Sequence, residues 1–306
     1  MQLVIAVFFL PLQKKLITIA MKKMLILLSI VVLAVTSCAT EEYVKSARNF
    51  YDNNDSLAVL VLRPDKILYT NHKVYDSLLL DTLSQAQISD FLIDNSIFLK
   101  NLDDTIINEV FVDKFIRVLA QTNLKVYTSD FFDEFEKNNP DNQYVIDLRK
   151  LEFDEYIDVV TDEYMTVKHN LMGGKDTVLF VHDTYLNYFA GNIWLDYHSP
   201  YSDTTSVLYA NNRISDSHYG MFTKDYYGDV VYYEDNLELT PGNIITFLDL
   251  IAGHYANYVY NHILNDYMRA NEKEVMNFSD SLSVYFELSN GKIKLVDQQS
   301  RFINMR

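Results

Sequence analysis

The chain has 306 residues, 42 acidic and 26 basic, with 23 tyrosines, one tryptophan and one cysteine. That length allows one or two domains with a sizeable core, while a single cysteine excludes a disulfide framework, a thiolate zinc site and a CxxC redox pair. A net charge of -16 argues against a nucleic-acid surface, which needs clustered Lys and Arg to meet phosphates.

Residues 1–37 contain no acidic side chain and only four basic ones, Lys14, Lys15, Lys22 and Lys23. An apolar, basic head on an acidic body predicts a signal peptide over 1–37, with Met21 as a sufficient start: Lys22 and Lys23 form its charged region and Met24 to Val35 its apolar run. That run is too short to cross a bilayer as a helix. It ends in Val35-Thr36-Ser37-Cys38, which resembles the lipobox of bacterial lipoproteins cut by signal peptidase II. The resemblance implies acyl chains on Cys38, an outer-membrane anchor, and a body that stays outside the bilayer facing the periplasm or the exterior. The plainer alternative is a buried cysteine after an anchor helix. Glu41-Glu42 resembles the acidic export signal of surface lipoproteins of the Bacteroidota. Seven tripeptides of Asp, then Ser or Thr, then an aliphatic residue or Thr, such as Asp104-Thr105-Ile106 and Asp176-Thr177-Val178, resemble O-glycosylation sites of that phylum, and serve equally well as caps of helices and strands.

Residues 38–55 read as the lipidated cysteine and a polar tether, and 56–306 as a single αβ domain. Leu57 to Leu62 is a continuous apolar run, the pattern of a strand buried on both faces. A short helix or ordered loop is expected over 86–99 and a firmer helix from Asp104 to about Gln121, with Ile107, Val110, Phe111, Phe115, Val118 and Leu119 on one stripe. A strand at Leu124 to Tyr127 and a brief acidic helix from Ser129 follow. Then the period changes to two: Tyr144, Ile146 and Leu148 alternate with polar neighbours, and β-rich runs cover Tyr156 to Val167, Thr177 to Tyr197, Val207 to Ala210 and Val230 to Tyr233. Thr240-Pro241 caps the longest helix, Asn243 to about Ala270, within which Gly253 suggests close packing against another backbone. Asn290-Gly291 between Val284, Phe286, Leu288 and Ile293, Leu295 predicts a C-terminal hairpin. The fold class is therefore α/β or α+β: a mixed, largely antiparallel sheet with packed helices and one long C-terminal helix. This order, with Gly191-Asn192-Ile193-Trp194-Leu195-Asp196-Tyr197 and Ala252-Gly253-His254-Tyr255-Ala256, resembles an uncharacterised family of Bacteroidota lipoproteins across about residues 57–270, and more loosely the N-terminal αβ domain of TolB-like envelope accessory proteins. The resemblance implies a fold and an address, and no activity.

Chemistry is sparser. No glycine precedes Gly173, so neither a GxGxxG nor a P-loop follows the first strand. His182-Asp183 would point to opposite faces of a strand, and Asp196 with His198 supplies only two ligands, so no metal or other cofactor is expected. Asp162-Glu163 and Glu234-Asp235 would suit a carboxylate-dependent hydrolase only with a partner across a cleft. Tyrosine is the unusual count: Tyr226, Tyr227, Tyr232 and Tyr233 crowd beside Asp225, Asp229, Glu234 and Asp235, and with Trp194 form the candidate ligand-binding set. Such rings stack on sugars, yet tyrosine is also an ordinary strand residue with an apolar body and a wet tip. The sequence thus supports an anchored lipoprotein that binds an envelope partner or, alternatively, a glycan, with no catalytic residue assigned.

Overall fold

A computed structural model describes residues 44–73, 83–169, 174–271, 285–289, 292–296 and 302–305. Its contacts divide the chain into two compact units. The larger holds Asn54–Ile263 with the last residues from Gln299, and the smaller combines the chain up to Asn53 with Leu264–Gln298, so the stretch expected as one domain is shared between them.

In the larger unit β1 (Ala58–Leu62) lies between β3 (Lys125–Thr128) and β4 (Gln143–His169), parallel to both, so its apolar run is buried on both faces. One face of β1 packs Ala58 and Leu60 against Phe135 of the short α4 (Phe132–Phe135). A strand absent from the sequence reading, β2 (Lys66–Asn71), also pairs in parallel with β4, farther along it. A register shift between Asp147 and Lys150 marks where β4 exchanges β1 for β2. β5 (Lys175–His198), β6 (Ser206–Ser215) and β11 (Ile303–Asn304) complete the sheet in antiparallel fashion. The two runs expected over 144–167 are one continuous strand of 27 residues.

The two longer helices cover one face of this sheet, the face opposite α4. The short helix or ordered loop expected over 86–99 forms as α2 (Gln85–Asp94), and the helix expected from Asp104 forms as α3, α-helical over Asp104–Ile107 and Asp113–Ala120 with a π-helical turn at Asn108–Val112 between them. Asp103 caps it by accepting from the Ile106 N–H at 2.8 Å. The long helix forms as α5 (Pro241–Asn271), its start closed by reciprocal bonds between Thr240 and Asn243. Between helices and sheet lies an aromatic core: Phe111 meets Phe153 and Tyr255 edge-on at 6.4 and 6.0 Å, and Phe153 stacks on Phe189 at 6.0 Å. The tight approach sits at Gly191, not at Gly253. A Cβ on Gly191 would stand 3.0 Å from Ile251 Cδ1, whereas one on Gly253 would meet only the side chains of Lys114 and Val118 at 3.9 and 4.0 Å.

The smaller unit corrects the tether. Residues 44–53 form a helix, α1, in which Ser46, Ala47 and Phe50 are buried along one stripe, and the Phe50 ring meets Tyr267 of α5 at 5.0 Å. Three buried side chains among polar neighbours make a narrow stripe, which is why the segment reads as solvated. The C-terminal hairpin is present as β9 (Tyr285–Ser289) and β10 (Lys292–Val296), with Ser289 opposite Lys292, while its two turn residues lie outside the described residues.

Candidate functional site: a tyrosine-bearing arm

β2 ends opposite Glu155 and β6 ends opposite Tyr188, while β4 and β5 stay paired to His169 and Lys175. Their outer halves thus form a two-stranded ribbon. On it packs a hairpin of β7 (Ser217–Lys224) and β8 (Val230–Leu237), and together they make an arm. β7 is a second strand missing from the sequence reading, its apolar alternation broken by Gly220.

The arm is rooted in a buried polar network. Glu155 has no exposed surface, and its carboxylate accepts from the backbone N–H groups of Ile97, Phe98 and Leu99 at 2.8, 2.8 and 3.2 Å. Lys73 Nζ pairs with it at 2.6 Å and donates to Asn187 Oδ1 at 3.0 Å. Asn187 in turn donates its backbone and amide N–H groups to Asp216, which also accepts from the Leu239 N–H at 2.7 Å. The exits of β2, β6 and β8 and the middle of β5 are tied to one polar chain.

Strand alternation sorts the hairpin into two faces. Its inner face meets the ribbon: Phe222 stacks on Tyr164 at 5.8 Å and meets Phe180 at 6.3 Å, and Tyr232 stacks on His182 at 3.8 Å. The Tyr232 hydroxyl donates to Asp162, and its oxygen lies 3.1 Å from His218 Nε2. That donation, aided by His218 and His182, holds Asp162 below the usual carboxylate range, while burial, followed by the hydrogen bond to Asp162 and then its charge, pushes the Tyr232 phenol up. Gly220 makes room for this arrangement. A Cβ there would collide with the Tyr232 hydroxyl and stand 2.7 Å from Asp162 Oδ2. Gly220→Ala is therefore expected to lift Tyr232 off Asp162 at a local cost of about 1–3 kcal/mol. Amide hydrogen exchange in β7 and β8 should accelerate roughly tenfold or more while the main sheet is unchanged; equal protection in the variant would show that Tyr232 is not what seats the hairpin.

The outer face carries Tyr219 and Tyr233, 59% and 54% exposed, beside Met221 and Val231. At the tip Tyr226 and Tyr227 are 96% and 86% exposed and meet edge-on at 5.4 Å. The turn beneath them is fixed: Asp225 Oδ1 accepts from the N–H groups of Tyr227 and Asp229 at 3.0 and 2.8 Å, and Gly228 takes a φ of 85° that a side chain would resist.

Of the predicted set, the structure gathers Tyr226, Tyr227 and Tyr233 on the exposed side of one arm and adds Tyr219. It places Tyr232 on the inner face, committed to Asp162, and sets Trp194 elsewhere, on the polar face of the main sheet. There Trp194 lies under Lys150 Nζ at 4.2 Å and beside Tyr209 at 4.9 Å. Asp162 and Glu234 engage Tyr232 and, at 3.6 Å, His182. His182 faces inward and Asp183 outward to Thr161, as strand parity requires. Among the described residues no three His, Cys, Asp or Glu side chains are placed to hold a metal ion, and no helix is long and apolar enough to cross a membrane. Cys38 and residues 1–37 lie outside the described residues.

No protein-family model matches the chain, and no curated protein matches it. Among solved structures, a neuraminyllactose-binding hemagglutinin homologue from Helicobacter pylori aligns over 73% of this chain and 92% of its own, at 12% identity and a TM-score of 0.27. So slight a likeness bears on neither fold nor ligand.

Proposed function

We propose that the protein is a lipid-anchored envelope lipoprotein that binds saccharide through the outer face and tip of its arm. One observation carries the reading: Tyr226 and Tyr227 stand almost wholly in solvent on a turn whose backbone is locked. A tyrosine serving the fold buries its ring and wets only its hydroxyl. These two bury next to nothing, so their rings are available to a ligand, and a rigid turn lowers the ordering cost of binding. Tyr219 and Tyr233 extend the aromatic surface, and ring faces with nearby carboxylates suit the CH faces and hydroxyls of a sugar. The lipobox-like Val35-Thr36-Ser37-Cys38 supplies the anchor.

A glycan array with the purified protein tests the reading. Binding should appear on the array and fall roughly five- to hundredfold in the Tyr226→Ala/Tyr227→Ala double variant, the equivalent of about 1–3 kcal/mol for two stacking rings. Silence across the array would overturn the saccharide. A protein partner is then the alternative, and it has its own support on the ribbon's other face, where Ile157, Val159, Met165, Leu179, Val181 and Tyr185 are exposed together.

A further inference from the structure

We infer that His218 is a doubly protonated imidazolium that clamps the hairpin onto the ribbon, so that the arm is firmly assembled in mild acid and loosens as the pH rises. The inference follows from a count of hydrogens and is independent of what the arm binds. The His218 side chain is 7% exposed. Its Nδ1 lies 2.6 Å from Asn236 Oδ1, and its Nε2 lies 3.1 Å from the Tyr232 oxygen. Tyr232 has one hydroxyl proton, and that proton goes to Asp162, so at Nε2 the tyrosine oxygen acts as an acceptor. The Asn236 amide is oriented by Glu234, toward whose Oε2 its Nδ2 points at 3.4 Å, which leaves Oδ1, an acceptor, facing Nδ1. Both ring nitrogens must therefore donate. A neutral imidazole has one proton and would set a lone pair against an oxygen at one end, a costly arrangement for a buried ring.

The counter-charge is present. Asp162 Oδ2 lies 3.6 Å from His218 Nε2 on the ribbon side. The other titratable groups at this junction act in the same direction: His182, stacked on Tyr232, lies 3.6 Å from Glu234 Oε2, so a proton on His182 adds attraction between ribbon and hairpin. Tyr232 keeps its proton throughout, since its phenol is pushed up, and Asp162 keeps its charge because it is held below the usual carboxylate range. Docking binds a proton, so by linkage it strengthens as the pH falls and weakens as the pH rises. Only strong acid, enough to protonate Asp162, would reverse this.

Long-range 15N–1H correlation spectra of the full chain at about pH 6 test the claim directly, with His218 assigned by its absence in His218→Gln. The expected result is two protonated ring nitrogens for His218. A single-tautomer pattern, one nitrogen bearing a proton and one bare, overturns the inference without requiring any variant to fold. Hydrogen exchange supplies the second arm: corrected for intrinsic rates, protection of the β7 and β8 amides should fall as pH rises, by up to about tenfold per unit where one proton is released. In His218→Gln that dependence should flatten, while His182→Gln retains most of it. Protection that is flat with pH in the unmodified protein would equally refute the clamp.

Discussion

Replacing Glu155 by alanine should lower the stability of the larger unit by about 3–5 kcal/mol, the usual loss when one partner of a buried ion pair is removed. Lys73, whose side chain is 9% exposed, would be left with Asn187 as its only partner in the network, and the N–H groups of Ile97, Phe98 and Leu99 would lose their acceptor. The asymmetry between the partners is informative. In Lys73→Met the carboxylate still accepts from three backbone donors, so this variant should cost clearly less than Glu155→Ala. Glu155→Gln should fall between them, because its NH₂ would face N–H groups. Equilibrium denaturation measures all three. If Lys73→Met proved as costly as Glu155→Ala, or if the alanine cost less than about 1 kcal/mol, the carboxylate would not be the keystone of the arm's root.

The second large effect concerns Cys38. With Cys38→Ala the protein should move from the membrane pellet to the soluble fraction, since each buried CH₂ of an acyl chain contributes about 0.8 kcal/mol and more than one chain makes a stable anchor. Among the described residues no helix could replace that anchor by spanning the bilayer. Removing residues 1–20 should leave export and anchoring unchanged. Retention of Cys38→Ala in the pellet after an alkaline wash would refute the lipoprotein reading and make the apolar head an uncleaved anchor. Soluble versions should begin ahead of residue 44: a start at Ser46 would trim the first residues of α1, the helix that carries Phe50 against Tyr267.

What could be foreseen from the residues follows from how local each signal is. Helix α5 announces itself through Thr240-Pro241 and a sustained apolar period, and β1 through an unbroken apolar run. β2 has only six residues after Pro64-Asp65, and β7 carries Gly220 where alternation calls for a side chain, so neither produces a pattern. At the arm, the pair Tyr226-Tyr227 is visible in the sequence, and parity already implies that Tyr232 and Tyr233 diverge. That Tyr232 turns inward depends on Asp162, seventy residues away, which no local pattern reports. Glu155 is one of 42 acidic residues, and nothing in its neighbours marks it as the one without solvent.

The register of β4 with β5 also orders the assembly of the chain. Near the ribbon's end His169 pairs with Lys175, a loop of a few residues, and each later pair, back to Val145 with His198, closes only slightly more chain. Ala58 of β1, by contrast, must find Lys125 and Gln143 across long intervening segments. Closure entropy grows with loop length, so the ribbon zips first, and β1 enters a groove already bounded by β4. The ribbon is thus the expected nucleus of this fold: substitutions along it should register in the folding rate, and those in β1 in the rate of unfolding, when both are measured by stopped-flow chevrons.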